Sequence, residues 1–257
     1  MKDLLVIDHR SADIIGDVHG CFQELYELLT KLGYDIEEDE RKKYGFYITN
    51  PPGRVAVFVG DICDRGPAII RSLKLVMTMV ESGQAYMVLG NHDAKLLKKL
   101  NGRNVVINHG LDETLAALAN ESETFVEEVR RFLERLPIQL VLDDGQLIVA
   151  HAGLPEKYHY QSGPQITRFA LYGDITGTRD EYGLPIRHDW TVHYRGKAIV
   201  VYGHVPQKKP YISNNTYGID TGCVFGGYLT ALRYPELEIV QVKAKQAYSS
   251  HAYLSFS

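Results

Sequence analysis

Six residues of this sequence are of the types, and stand at the places, that could hold two metal ions. Asp17 and His19 lie two apart in Gly16-Asp17-Val18-His19-Gly20. On an extended segment, residues two apart share a face, so both side chains can reach one ion. Asp61, in Gly60-Asp61-Ile62-Cys63-Asp64-Arg65-Gly66, is an anionic ligand with two oxygens and can bridge two ions. Asn91, in Gly90-Asn91-His92-Asp93, offers a neutral carbonyl oxygen, and His151 and His204 offer imidazole nitrogens. Nitrogen and oxygen ligation without thiolate suits manganese, iron, zinc or nickel. Two such ions about 3.5–4 Å apart share a water that ionises near neutral pH. The resulting hydroxide can attack phosphorus in line.

Three further residues fit that reaction. Arg65, four residues past Asp61, can clamp a phosphoryl group through two parallel hydrogen bonds. His92, next to Asn91, can protonate the leaving oxygen, and Asp64 can hold its tautomer. Asp220, in Gly218-Ile219-Asp220-Thr221-Gly222, stands either as a direct ligand or as the partner of one. Arg168, Arg179, Arg187 and Arg195 offer phosphate contacts, with Arg168 and Arg187 carried forward as candidates. Any one of them alone is more often a solvated surface charge.

The elements that must position these groups show a regularity. Ile14-Ile15, Val55–Val59, Ala85–Leu89, Leu147–Ala150 and Ala198–Tyr202 are short apolar runs, many of them β-branched. Each ends in a polar block: Gly-Asp, Gly-Asp, Gly-Asn, His-Ala-Gly and Gly-His. Such runs read as buried strands, and ligand sites in layered α/β sheets lie at the carboxyl ends of strands. One such block alone is more often a turn; five using only Asp, Asn and His argue for one convergent site. Helices are expected over Phe22–Leu32, from Pro67 to Gly83, and over 92–100, 110–119 and 122–136. From 155 to 196 the periodicity fades, and this segment reads as an insert covering the site of one domain spanning 1–257. Tyr228–Arg233 and Leu237–Val242 read as a hairpin, and 248–257 as an irregular tail.

Composition bounds the partners. Net charge is −4, so no global basic field draws the chain to long nucleic acid or to an anionic membrane. No apolar run approaches 18 residues, and no membrane span is expected. Cys21, Cys63 and Cys223 are an odd set without a CxxC pair, which points to a reducing cytoplasm rather than a disulfide framework. Cys63 reads as a packed small side chain in the Asp61–Arg65 loop.

These blocks resemble the calcineurin-like metallophosphoesterase superfamily: GDVHG (16–20), GDICDRG (60–66), GNHD (90–93), HAG (151–153) and GH (203–204) stand in its order along nearly all of the chain. The resemblance implies an α/β fold of two facing mixed β-sheets flanked by helices. It implies that Asp17 and His19 hold one divalent ion, Asn91, His151 and His204 the other, and Asp61 both. Manganese is the first expectation for both ions. LYGDITG (171–177), VVYGHVP (200–206) and IDTGCVFGGYLTALRYPE (219–236) further resemble the PrpE-like bis(5'-nucleosyl) tetraphosphatases and the phosphatase domain of bacterial polynucleotide kinase-phosphatases. The implied activity is asymmetric hydrolysis of diadenosine tetraphosphate to ATP and AMP, on a small nucleotide substrate. The alternatives are a phosphatase of proteins or nucleic-acid ends, and a non-catalytic interaction module on the same fold. The intact set of ligand-type residues speaks against the last.

Overall fold

The computed structural model describes residues 3–250. In chain order the elements are β1 (Leu4–Val6), β2 (Ala12–Ile15), α1 (Phe22–Leu32), β3 (Asp35–Glu38), β4 (Phe46–Thr49), β5 (Val55–Phe58), α2 (Ile69–Glu81), β6 (Ala85–Met87), α3 (Asn91–Leu100), α4 (Leu111–Leu118) and α5 (Glu123–Arg135). There follow β7 (Gln139–Leu142), β8 (Leu147–Ala150), α6 (Pro164–Tyr172), β9 (Ile175–Arg179), β10 (Pro185–Arg187), β11 (Ile199–Tyr202), β12 (Tyr211–Ser213), β13 (Thr216–Gly218), β14 (Tyr228–Tyr234) and β15 (Glu238–Lys243). One mixed sheet runs β15-β14-β2-β5-β6 and the other β1-β7-β8-β11-β13-β12. β9 with β10 and β3 with β4 form two small hairpins.

The apolar runs fold this way because each strand is buried on both faces. Ile14, Val55, Val57, Leu147, Val149, Val201 and Leu232 fill the space between the two sheets. Their chain neighbours Ile15, Ala56, Phe58 and Ala231 point the other way in the first sheet, toward Leu25, Leu28 and Leu29 of α1 and Leu73 and Val76 of α2, while Ile148, Ala150 and Val200 are buried on the outer face of the second sheet. Period-two alternation with no polar face is what a covered strand requires. Each Val, Leu, Ile or Phe side chain taken from water contributes about 1.5–3 kcal/mol. This is the two-sheet α/β architecture that the resemblance implies.

The parallel strands fix where the chemistry falls. β2 pairs in parallel with β5, and β5 with β6, so their carboxyl ends lie side by side and lead to Asp17, Asp61 and Asn91. In the other sheet β8, β11 and β13 are parallel and lead to His151, His204 and Asp220. All five expected strands are present, with the hairpin of β14 and β15.

Some elements differ from expectation. Pro67 does not open α2, which begins at Ile69. The chain turns through positive φ at Asp64 and Arg65, and the amide of Ala68 is bonded to the carbonyl of Gly20, so the turn is complete only after Pro67. The segment 155–196 is not featureless: it holds α6 and the β9–β10 hairpin, and Trp190 packs on Phe169, Tyr194 and Tyr202. β1, β3, β4, β7, β12 and β13 carry no motif block and were not expected. Of the tail, Tyr248 and Ser249 donate their amides to the carbonyl of Val224; residues 251–257 lie outside the described residues.

One buried charge ties the first sheet to its flank. Asp13 on β2 is fully buried and accepts from Arg54 (Nη2, 3.0 Å), Arg233 (Nε, 2.9 Å) and the hydroxyl of Tyr34 (3.2 Å). Removing one partner of a buried pair leaves the other charge uncompensated. Asp13→Ala is expected to cost about 3–5 kcal/mol in urea unfolding. An unchanged denaturation midpoint would show that the two guanidinium groups re-solvate freely.

Candidate metal centre

Asp61 lies at the centre of the cluster. It follows β5 with a positive φ of 53° and is 2% exposed. Its Oδ1 accepts the backbone amide of His92 (2.9 Å), at the start of α3. Its Oδ2 lies 3.4 Å from His151 Nε2 and 3.7 Å from His19 Nε2. One carboxylate oxygen therefore sits between two imidazoles from different sheets. His151 donates from Nδ1 to the carbonyl of Val59 (2.8 Å), and His19 from Nδ1 to the carbonyl of Cys63 (2.8 Å). Each backbone bond turns the Nε2 atom inward.

Asn91 Oδ1 lies 2.8 Å from His151 Nε2 and 2.7 Å from His204 Nδ1, and those two nitrogens are 3.1 Å apart. Asp17 accepts the amide of His204 at 3.1 Å, which joins the end of β2 to the end of β11. Asp220 is buried and accepts the amide of Gly222 (3.0 Å). His92 gives its Nδ1 to Asp64 (2.5 Å), and its ring meets that of His19 edge-on at 4.7 Å between centroids. Arg65 Nη1 stands 2.9 Å from His19 Nε2, and Arg187 Nη2 stands 2.9 Å from His204 Nε2. Of the candidate arginines, Arg187 is thus brought to the cluster. Arg168 is exposed on α6, and among the described residues no hydrogen bond or ion pair ties it to the cluster. Arg195 bonds the carbonyls of Val192 and Tyr194 instead.

The electrostatics are those of carboxylates crowded together out of water. Burial pushes Asp17 well above the usual carboxylate range, and the charges of Asp220 and Asp61 add to it. Burial likewise pushes Asp220 up to about 6. Burial alone would raise Asp61 too, but the imidazoles of His151, His92 and His19 hold it well below the usual range. Burial would lower His151, yet Asp61 and Asp17 push it up to about 10. His19 is held well below the usual imidazole range by burial and by Arg65; His204 is held there by burial and His151. Neutral imidazoles are the form that ligates metal. Hard oxygens, inward imidazole nitrogens and buried negative charge fit divalent cations. Two overlapping groups of closely spaced donor atoms are present, Asp61 with His151 and His204, and Asp61 with His19 and His92; Asp61 belongs to both.

Residues 12–240 match the calcineurin-like phosphoesterase family. This chain belongs to that family. It is 45% identical over 248 residues to an asymmetrical bis(5'-nucleosyl)-tetraphosphatase PrpE from Anoxybacillus flavithermus, covering 95% of this chain and 98% of that one. It is 44% identical to the protein of the same name from a Geobacillus species over the same shares. Among solved structures it resembles a provisionally named diadenosine tetraphosphatase, with a TM-score of 0.66 and 26% identity over 95% of this chain and 99% of that one. Family members use a dinuclear metal centre, and the His and Asp groups here are candidates for its ligands. No helix among the described residues is long and apolar enough to cross a membrane.

Two positioning residues, Asp93 and Thr114, are given no role by the sequence, although Asp93 closes the GNHD block. Asp93 is fully buried; its Oδ2 accepts the amides of Asp61 (2.7 Å) and Gly90 (3.2 Å), and its Oδ1 accepts that of Ile62 (3.2 Å). A carboxylate at the third position of a helix that follows a cap is the available signal. Thr114 on α4 donates to Asp64 Oδ1 (2.5 Å) and accepts the Asp64 amide (2.9 Å); nothing in its neighbourhood announces this. Cys63 is fully buried with its thiol pushed up by burial, in keeping with a packed side chain.

Gly90 is needed for close approach. A Cβ there would lie 2.2 Å from Asp61 Oδ1 and 2.3 Å from its amide nitrogen. Gly90→Ala is expected to displace the Asp61 carboxylate and lower the metal bound per chain, read by elemental mass spectrometry after reconstitution. Undiminished metal content would show that Asp61 does not need this seat.

Proposed function

We propose that this chain hydrolyses bis(5'-nucleosyl) tetraphosphates asymmetrically, giving a nucleoside triphosphate and a nucleoside monophosphate. The observation that carries the reading is the extent of the likeness to enzymes of that name. A match covering 95% of the chain takes in the metal cluster and most of the 155–196 segment, from which Arg187 reaches the site. We take that segment as the cover of the substrate pocket.

In this reading Asp17 and His19 would hold one ion, Asn91, His151 and His204 the other, and Asp61 would contribute to both, with manganese first and iron, nickel or zinc as alternatives. When bound, the two ions would supply Lewis acidity and an ionised water. The chain's own residues do the rest. Arg65, at the His19 end of the cluster, orients a phosphoryl group through paired donors. Arg187, at the His204 end, offers a second guanidinium. His92 has Nδ1 engaged by Asp64, so Nε2 is the atom that presents a proton to the leaving oxygen. Asp220, whose charge acts on Asp17, serves either as a direct ligand or as the partner of one. A nucleotide of this size needs no basic surface beyond the pocket, in line with the net charge of −4.

The direct test is chromatography of the products from diadenosine tetraphosphate with purified protein and manganese. Equal ATP and AMP are expected. ADP alone would overturn asymmetry, and no hydrolysis beside rapid phosphomonoester turnover would replace the reading with a phosphatase. Asp61→Asn removes the central anion, so turnover is expected to fall to background with the circular dichroism spectrum unchanged. Retained activity would sink the two-metal reading.

His92→Ala is expected to leave metal content intact while its cost depends on the leaving group. An alkoxide needs the proton, and general acid catalysis supplies about 10²–10⁴-fold; a nitrophenolate leaves unaided. Similar losses on alkyl and nitrophenyl phosphates would assign His92 to positioning instead.

A further inference from the structure

We propose that the cations Lys95 and Arg179, with the imidazole of His109 as a neutral hydrogen-bond donor, extend Arg65 into a track beside the metal cluster that binds the phosphates of a polyphosphate chain beyond the phosphorus under attack. This rests on the functional reading above and adds a binding site to it.

The track starts on α3. Lys95 lies four residues after Asn91 and three after His92, so it shares their face of the helix and projects one turn farther along. Its half-buried ammonium donates to the carbonyl of Asn108 (2.9 Å) and to the Asn108 side chain. That bond fastens the 101–110 loop to α3. The end of the loop is pressed onto the site: a Cβ on Gly110 would lie 2.5 Å from the Arg65 amide nitrogen, 2.7 Å from Arg65 Cγ and 3.0 Å from Asp64 Cβ. His109, with a positive φ of 59°, immediately precedes Gly110 and has an exposed side chain. The close approach of Gly110 thus sets His109 beside the Arg65 turn, and the Lys95 ammonium is bonded to the same loop at Asn108.

The opposite wall comes from the β9–β10 hairpin. Arg187, in β10, already reaches His204. Arg179, at the end of β9, is exposed and folds back to the carbonyl of Gly183, near enough to His109 for its charge to act there. His109 is held below the usual imidazole range by partial burial and then by the cations around it, namely Arg65, His92, Lys95 and Arg179. Lys95 is lowered by burial and by Arg65, against which Asp64 and Asp112 act. Asp64 is already engaged by His92 and Thr114. Arg65, Lys95 and Arg179 are cations gathered against their mutual repulsion on a chain of net charge −4, and they make a local field suited to a polyanion, with the neutral His109 ring as a further donor. A phosphomonoester ends at the metals and Arg65. Only a substrate with further phosphates extends to Lys95, His109 and Arg179.

The test compares Lys95→Gln, His109→Asn and Arg179→Gln with the parent. For each, kcat/KM is measured on diadenosine tetraphosphate and on nitrophenyl phosphate, with inhibition of the latter by inorganic tripolyphosphate. Loss of a charge-assisted hydrogen bond should lower the tetraphosphate to nitrophenyl phosphate ratio of kcat/KM by about 10- to 100-fold. Tripolyphosphate inhibition should weaken by a similar factor, with inhibition by orthophosphate much less affected. Equal losses on both substrates, or unchanged tripolyphosphate inhibition in all three variants, would overturn the track. If the parent protein splits no tetraphosphate, the functional reading falls. Tripolyphosphate inhibition that depends on these residues would then still establish the track.

Discussion

The constraint on which the cluster depends is the seat of Asp61. A carboxylate that is 2% exposed must have its charge met on every side. Its amide is held by Asp93, its carbonyl accepts the amide of His19 (2.9 Å), Oδ1 accepts the amide of His92, and Oδ2 faces two imidazoles. These contacts recruit the ends of β2, β5 and β8 and the start of α3. The amino end of a helix favours negative charge, and here the first turn of α3 supplies both an amide to Asp61 and the Asp93 cap that fixes the Asp61 backbone. The geometry of one residue thus couples the two sheets.

That coupling explains why the sheets must be mixed. Parallel order in β2-β5-β6 and in β8-β11-β13 brings the polar blocks to one edge, while antiparallel β14 and β7 complete the sheets without adding ligand-type residues there. Packing of Ile14, Val57, Val149 and Val201 between the sheets sets the distance across which Asp17 meets the amide of His204. Core packing is stiff, so carboxylate and imidazole are held in place rather than drawn together when a cation arrives. The unfavourable crowding of Asp17, Asp61 and Asp220 is offset by apolar burial elsewhere.

How much of this was legible in the sequence follows from what each signal depends on. The five strand ends were readable because burial on both faces gives continuous apolar runs, and because polar residues directly after such runs need a reason to be there. The Asp61–His92–Asp64 neighbourhood was readable for the same reason. Thr114 was not: it reaches Asp64 across 50 residues, and only tertiary packing brings α4 there. β12, at the sheet edge, and β13 beside it were missed because three-residue strands carry few apolar residues. Pro67 misled because a helix-opening residue was read without the turn at Asp64 and Arg65 that precedes it. Arg168 and Arg187 looked alike as sequence; the fold separates them, since α6 leaves one exposed and β10 carries the other to His204.

The two arginines at the cluster show how the scaffold prepares for an anion. Arg65 emerges from the β5 turn and Arg187 from the segment that follows α6, so they approach from independent parts of the chain. Their guanidinium groups end on His19 and His204, at opposite ends of the row of ligand-type residues. Arg187 is half-buried and bonds the carbonyls of Tyr172 and Pro185, and Arg65 stacks over Phe225 at 5.3 Å. Each guanidinium is therefore already oriented before an anion arrives, which limits the conformational entropy lost on binding one. A phosphoryl group placed over Asp61 would meet donors from both directions, with the negative charge of the cluster beneath it balanced by cations. Removal of the β9–β10 hairpin would leave the Arg65 side intact and strip the His204 side. The hairpin is therefore part of the anion site rather than an ornament on it, and variation in its length or charge is the simplest route by which this fold could change the substrate it accepts.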